Sequence, residues 1–259
     1  MIWLNRGLYT SAIGMMTQMN NMDVITNNIA NVDNTGFKKD TTVVQSFSEE
    51  LMKRLNDPEQ GLIKRDNNIG KVSLGNFVTE VSTDFSVGSM EETGGTYDLA
   101  IDGDGFFAIE TVNDGNVVEK YTRDGSFTVN SNNELMTKEG NYVLGENGRI
   151  FIPNGNITIS ENGNIYSNGE FVDKLKIVDF ENKESLRKYG DNLYNKIEES
   201  VEKPFTGTII QKHVETSNVN AVDEMVKMIT VSRAYELNQK MVQAHDSVLG
   251  KAVNDIARK

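Results

Sequence analysis

The sequence predicts an α+β protein, with long N- and C-terminal helices pairing around a central antiparallel β-rich domain. Three observations carry that prediction. Apolar or small residues recur at helical spacing near both ends of the 259-residue chain. Asx-Gly turn pairs punctuate its middle at short intervals. The charge divides the same way. Residues 1–40 hold three basic and three acidic side chains, residues 213–259 six of each, and residues 41–212 carry the whole net charge of −12.

The first helix is read from Leu8, Ala12, Met15, Met19, Met22, Ile25 and Ile29, whose spacing approaches a heptad seam. Gly36 is the natural stop, and some 30 helical residues would span about 45 Å. The last helix follows the cluster Ser217-Asn218-Val219-Asn220, with Asp223 three residues after Asn220 as in a capping box. Its apolar positions are Val222, Val226, Ile229, Leu237, Met241, Ala244, Val248 and Ile256, and no Gly or Pro interrupts it before Gly250. Nearly 40 residues would make about 57 Å of helix, a length that favours a coiled-coil-like assembly element over an ordinary globular helix. A simple helical hairpin within one chain and packing against other subunits both stand open.

Between them, Phe47–Leu55 reads as a short amphipathic helix stopped near Asp57-Pro58, and 72–87 as extended. Strands are expected at Tyr97–Ile101, Phe106–Val112, Tyr121, Phe127–Val129, Tyr142–Leu144, Ile150–Ile152, Ile157–Ile159, Ile165–Tyr166 and Lys174–Phe180. Turns fall at Asp114-Gly115, Asp124-Gly125, Asn147-Gly148, Asn154-Gly155, Asn162-Gly163 and Asn168-Gly169. The expected domains are 1–36 with 213–259 (helical assembly), 37–95 with 185–212 (extended connection) and 96–184 (central β).

Composition excludes several functions. With no Cys, there is no disulfide framework, thiolate zinc site or Cys nucleophile. The two His, His213 and His245, are too few for imidazole metal clusters. A pI near 4.7 argues against nucleic acid or an anionic membrane as partner. The mean hydropathy of −0.44 is that of a polar protein, no apolar run is long enough to span a membrane, and no cleavable signal is expected. Asp102-Gly103-Asp104-Gly105 starts like a calcium loop but lacks the later ligands, since Phe106, Phe107 and Asn113 stand at positions 5, 6 and 12. No catalytic grouping assembles, so neither an enzyme nor a cofactor is expected.

Three segments resemble one known family. Asn27-Asn28-Ile29-Ala30-Asn31, followed by Gly36-Phe37-Lys38, is similar to the N-terminal signature of bacterial flagellar rod and hook proteins. Tyr97–Phe107 and Tyr121-Thr122-Arg123-Asp124-Gly125-Ser126-Phe127 are similar to central segments of the same proteins. Glu215-Thr216-Ser217-Asn218-Val219-Asn220 and Arg233-Ala234-Tyr235-Glu236 resemble their closing signature. The resemblance implies a basal-body rod subunit, distal-rod type before proximal-rod or hook type. Such a subunit is exported unfolded by the flagellar type III apparatus beyond the cytoplasmic membrane. It polymerises with its own copies and with other rod and hook proteins into a hollow, torque-transmitting shaft. The assembly surface then comprises Leu8, Met15, Met19, Met22, Ile25, Ile29, Val226, Ile229, Leu237, Met241 and Val248. The motif residues are Asn27, Asn28, Ala30, Asn31, Gly36, Phe37, Ser217, Asn218, Val219, Arg233, Tyr235 and Glu236, with polar inter-helix or inter-subunit contacts expected around Arg233–Glu236. A trimeric surface-binding module is the reading from another class.

Overall fold

The computed structural model describes residues 2–47, 50–53, 68–73, 75–113, 116–153, 155–190, 192–197 and 200–257. They divide into two compact units: Met1–Asn27, Asp40–Ser82 and Val222–Lys259 in one, Asn28–Lys39 and Thr83–Ala221 in the other. The α+β class holds.

The first unit is built on helices α1 (Ile2–Ala30) and α2 (Ala221–Ala257). Asp223 and Glu224 occupy the first turn of α2, where a carboxylate meets the positive end of the helix dipole. Two antiparallel approaches bring the helices together. An added Cβ at Gly7 would lie 2.5 Å from His245 Nε2, and one at Gly14 would lie 3.0 Å from Asn238 Nδ2. A second face of α1 carries a two-stranded ribbon, Asp40–Ser46 with Asn76–Thr83. Thr17 Oγ1 donates to Asn76 O at 2.9 Å, and Thr42 Oγ1 donates to Asn21 Oδ1 at 2.7 Å. Phe47 and Phe77 stack with centroids 4.8 Å apart.

Two expectations fail here. The amphipathic helix proposed for 47–55 is absent where the chain is described. Glu50–Lys53 is a strand paired antiparallel with Asn68–Val72, so strand pairing overrides the apolar spacing there; Leu55 and Asp57-Pro58 lie outside the described residues. The first helix also ends at Ala30 rather than running to Gly36. Turns 31–36 follow, in which Asn34 Nδ2 donates to Asn31 Oδ1. Asn side chains compete with the helix for backbone geometry, and here they win.

The second unit is β-rich. Among the described residues its largest sheet is ten-stranded and antiparallel. The strand order is Leu186–Tyr189, Leu193–Lys196, Asn116–Thr122, Phe106–Asn113, Tyr142–Gly145, Leu135–Thr137, Phe127–Val129, with Ile177–Phe180, Glu202–Pro204 and Gly148–Arg149 branching off. Leu186–Tyr189 and Leu193–Lys196, expected to lie in an extended connection, are two of its strands. Ile157–Ile159, Asn164–Ser167 and Glu170–Lys174 make a three-stranded sheet. Its second hairpin pairs Ser167 with Glu170 across Asn168-Gly169. Both turn residues have positive φ, +53° and +90°, the conformation that Asn-Gly supplies most cheaply. The Asp114-Gly115 turn and Asn154 lie outside the described residues.

Strand alternation divides the interior. Phe107 points into a core with Leu99, Ile101, Phe127, Leu135 and Val143, while Phe106 and Ala108 point into one with Tyr121, Phe180 and Tyr194. Two strand expectations are corrected. Ile150–Ile152 is only a bridge, Phe151 to Glu134, flanked by backbone bonds from Leu135 N–H to Ile150 O at 3.0 Å and from Ile152 N–H to Asn133 O at 2.7 Å, with Ile150 and Ile152 buried in the core. Lys174–Phe180 is two strands, interrupted at Leu175-Lys176 where the chain passes from the three-stranded sheet to the large one.

Candidate functional site

Three sequence motifs meet at one buried carboxylate. Glu215 ends the strand His213–Glu215 and is 1% exposed. Its Oε1 pairs with Lys38 Nζ and accepts Gly88 N–H at 2.8 Å. Its Oε2 lies 3.2 Å from Arg123 NH1. Both cations are themselves buried, and the carbonyls of Ser86 and Gly103 accept one hydrogen bond from each at 2.7 Å. Two cations on one carboxylate leave excess positive charge in a site shielded from water. Burial accordingly holds the Lys38 ammonium below its ordinary range, a pull that Glu215 opposes.

The backbone reinforces this knot. Gly36 N–H donates to Glu215 O at 2.7 Å. Phe37 is fully buried, with Lys188 Nζ 3.8 Å from its ring centroid. Asn218 accepts Lys39 N–H at 2.8 Å and donates to Asp84 O at 2.8 Å. Gly36, Phe37 and Asn218 are therefore anchors of the β unit. Asn28, Asn31 and Val219 are buried as well, whereas Asn27, Ala30, Arg233 and Glu236 are exposed and Ser217 and Tyr235 half-buried. Lys38, Arg123 and Glu215 were not among the expected site residues. Each sits inside a motif segment, but nothing in the sequence signals that a charge there will be buried.

Beside the knot, Asp124 Oδ1 accepts Thr35 Oγ1 at 2.5 Å, Ser126 Oγ at 2.7 Å and Ser126 N–H at 3.0 Å. Burial raises the Asp124 pKa, and those three donors oppose the rise without cancelling it. A carboxylate with a raised folded-state pKa costs stability when ionised, and that cost fades as pH falls through the folded value. Asp124→Asn keeps the acceptor and removes the charge. The variant is expected to be at least as stable as wild type at pH 7 and to lose that advantage towards pH 4. Urea melts at both pH values measure it, and a stability difference independent of pH would refute the burial account.

The other sequence candidates find ordinary places. Asp102-Gly103-Asp104-Gly105 turns between two strands, and Asp104 pairs with Lys183. Among the described residues no cluster of three or more His, Cys, Asp or Glu could hold a metal ion, and no helix is long and apolar enough to cross a membrane. His213 Nδ1 is 3.0 Å from Gln211 O, and His245 lies against Gly7.

On α2 the apolar seam and the covered face do not coincide. Along α2 the covered positions recur every third then fourth residue from Ala221 to Ala252, through Met228, Tyr235, Asn238 and His245. The apolar positions read from sequence point elsewhere: Val226, Ile229, Leu237, Met241 and Val248 are 50–62% exposed. On α1 the apolar seam is largely covered: Ile25 is buried, Leu8, Ala12, Met15, Met22 and Ile29 are half-buried, and Met19 is 50% exposed. Small or polar residues on α1, Gly7 and Gly14 first, let the larger α2 side chains approach.

Comparison with known proteins gives the same grouping of segments. The family model "Flagella basal body rod protein" matches residues 8–38, "Flagellar hook protein FlgE/F/G D1 domain" residues 100–167, and "Flagellar basal body rod FlgEFG protein C-terminal" residues 210–255. The flagellar basal-body rod protein FlgG of Buchnera aphidicola subsp. Schizaphis graminum is 34% identical over 94% of this chain and 97% of its own length. That of Borreliella burgdorferi is 36% identical over 96% and 98%, and FlgF of Caulobacter vibrioides 33% over 98% and 99%. With near full-length similarity to these rod proteins, and with all three of its motif segments tied to one buried carboxylate, the chain belongs to the flagellar basal-body rod protein family.

Proposed function

We infer that this chain is a structural, non-enzymatic subunit of the flagellar basal-body rod, of the distal-rod type. It polymerises with its own copies into a hollow shaft that carries torque towards the hook. It reaches its place beyond the cytoplasmic membrane through the type III export apparatus. The observation that carries self-assembly is the α2 surface, which keeps a row of large apolar side chains half or more exposed on a segment of zero net charge. Coiled-coil-like pairing of α1 and α2 is supported by their two approaches seven residues apart, and exposed Arg233 and Glu236 supply polar contacts to neighbours.

A charge on the exposed face tests this. Met241→Glu leaves the chain's own packing alone because Met241 is 52% exposed, unlike half-buried Ile29, where a charge would also strike the subunit itself. The variant is expected to fold as wild type, with unchanged circular dichroism, and to raise the critical concentration for polymerisation at least tenfold, about 1.4 kcal/mol per contact. Wild-type assembly by Met241→Glu would defeat the reading.

A further inference from the structure

We propose that a cleft beside the ionic knot binds an alkylammonium group, the end of a lysine side chain or of a polyamine, with Asp124 as its counter-ion. The cleft encloses about 370 Å³ within the β unit, a volume suited to a small organic group. Of its lining, Asp124 and Ser126 are buried, Asn141 and Asn192 half-buried, and Glu139 and Tyr189 exposed at the rim. Its charged side chains are three carboxylates (Asp33, Asp124 and Glu139) and one ammonium (Lys138), a net charge of −2.

The hydrogen bonds identify the missing ligand as a donor. Thr35 Oγ1, Ser126 Oγ and Ser126 N–H all donate to Oδ1 of Asp124, and Oδ2 accepts from no described residue. Thr122 Oγ1, another hydroxyl of the lining, donates to Asn192 O at 2.8 Å. Asn192 Nδ2 donates to Thr35 O at 3.0 Å, which fixes the amide and leaves its Oδ1 buried without a partner. Asn141 Nδ2 approaches Thr137 Oγ1 at 3.5 Å, and its Oδ1 is likewise unused among the described residues. The hydroxyl protons of Thr35, Thr122 and Ser126 are thus spent inside the wall, and three acceptor oxygens remain. An ammonium carries three donors and no acceptor.

Charge decides between a neutral donor and a cation. Burial is the main influence that raises the Asp124 pKa, and the neighbouring charge that adds to the rise is the carboxylate of Glu139. Among the described residues neither carboxylate has a salt-bridge partner. The three hydrogen bonds to Oδ1 need an acceptor oxygen, which an Asn would supply without the charge. A charge that costs stability and serves no internal contact is the mark of a side chain facing a ligand. A metal ion is the poorer match, since no group of three or more acidic or imidazole side chains among the described residues could hold one. Leu193 and the ring of Tyr189 give the alkyl part of the ligand apolar surface.

The test is a titration of the full-length, nitrogen-15-labelled chain with n-butylamine and with spermidine at constant ionic strength, followed by NMR. The expected result is saturable shifts confined to the amides lining the cleft, Ser126, Thr137 and Asn192 among them. Asp124→Asn should weaken binding at least tenfold. Glu139→Gln, at an exposed position that does not threaten the fold, should weaken it by a smaller factor. Unchanged affinity in both variants, shifts scattered over the acidic middle of the chain, or equal shifts with calcium chloride would each overturn the proposal. Carbodiimide treatment of isolated basal bodies then separates the two sources of the amine. An amide cross-link from Glu139 to a lysine of another chain supports the site as a protein contact, and saturable amine binding without that cross-link supports it as a polyamine site.

Discussion

Glu215→Ala is expected to unfold the β unit at temperatures where wild type is stable. Removing the carboxylate leaves Lys38 and Arg123 buried, with no anion between them and only carbonyl partners. Breaking a buried ion pair from one side typically costs about 3–5 kcal/mol, because the stranded charge loses its partner without regaining water. That is a large share of the stability of an ordinary domain. The pH dependence has a definite sign. Lys38 already binds its proton less tightly when folded than when unfolded, so stability rises with pH between the folded and unfolded values. Without Glu215 its folded pKa falls further, and the gap between variant and wild type narrows from pH 7 towards pH 10. Thermal melts of both proteins across that range are the check; a gap that widens with pH would contradict the assignment of Lys38 as the stranded charge.

Gly36→Ala is the second large effect. Gly36 holds φ at +67°, and an added Cβ would collide with the backbone of Arg123 and Asp124. Left-handed backbone costs a non-glycine residue about 1–2 kcal/mol, and the collision adds to it because backbone cannot swing aside. Gly169 supplies the control. Its φ is +90°, and nothing lies within 4 Å of its added Cβ. Gly169→Ala should therefore show the strain alone, and Gly36→Ala should exceed it by at least about 1 kcal/mol in chemical denaturation. Equal losses would mean that close approach to Arg123 contributes nothing.

The division into helical ends and a β-rich middle was legible because two strong local signals coincide, apolar periodicity and Asx-Gly turns. The covered face of α2 was not. Apolar content pointed to Val226, Leu237 and Met241, but the covered stripe runs through Met228, Tyr235, Asn238 and His245. A small residue admits a neighbour without announcing it, and an apolar residue on an assembling subunit need not face its own chain. Glu50–Lys53 was misread as helix because a short apolar run suits either period, and its strand partner lies across residues 54–67. The ionic knot was illegible for a related reason. Its charges are far apart in sequence, and only tertiary structure shows that they share one site.

That separation also sets an order of events. The Lys38–Glu215 contact joins residues 177 positions apart. Long-range closures of this kind come late, since chain entropy must be overcome before the contact rewards it. An emerging polypeptide shorter than 215 residues lacks the anion that neutralises Lys38 and Arg123, and cannot complete the β unit. Glu215 is thus the last of the three charges to be made, and the site around Lys38 and Arg123 closes only after residue 215 has joined the chain. Until then the two cations have no anion to pair with, and the β unit stays open to rearrangement.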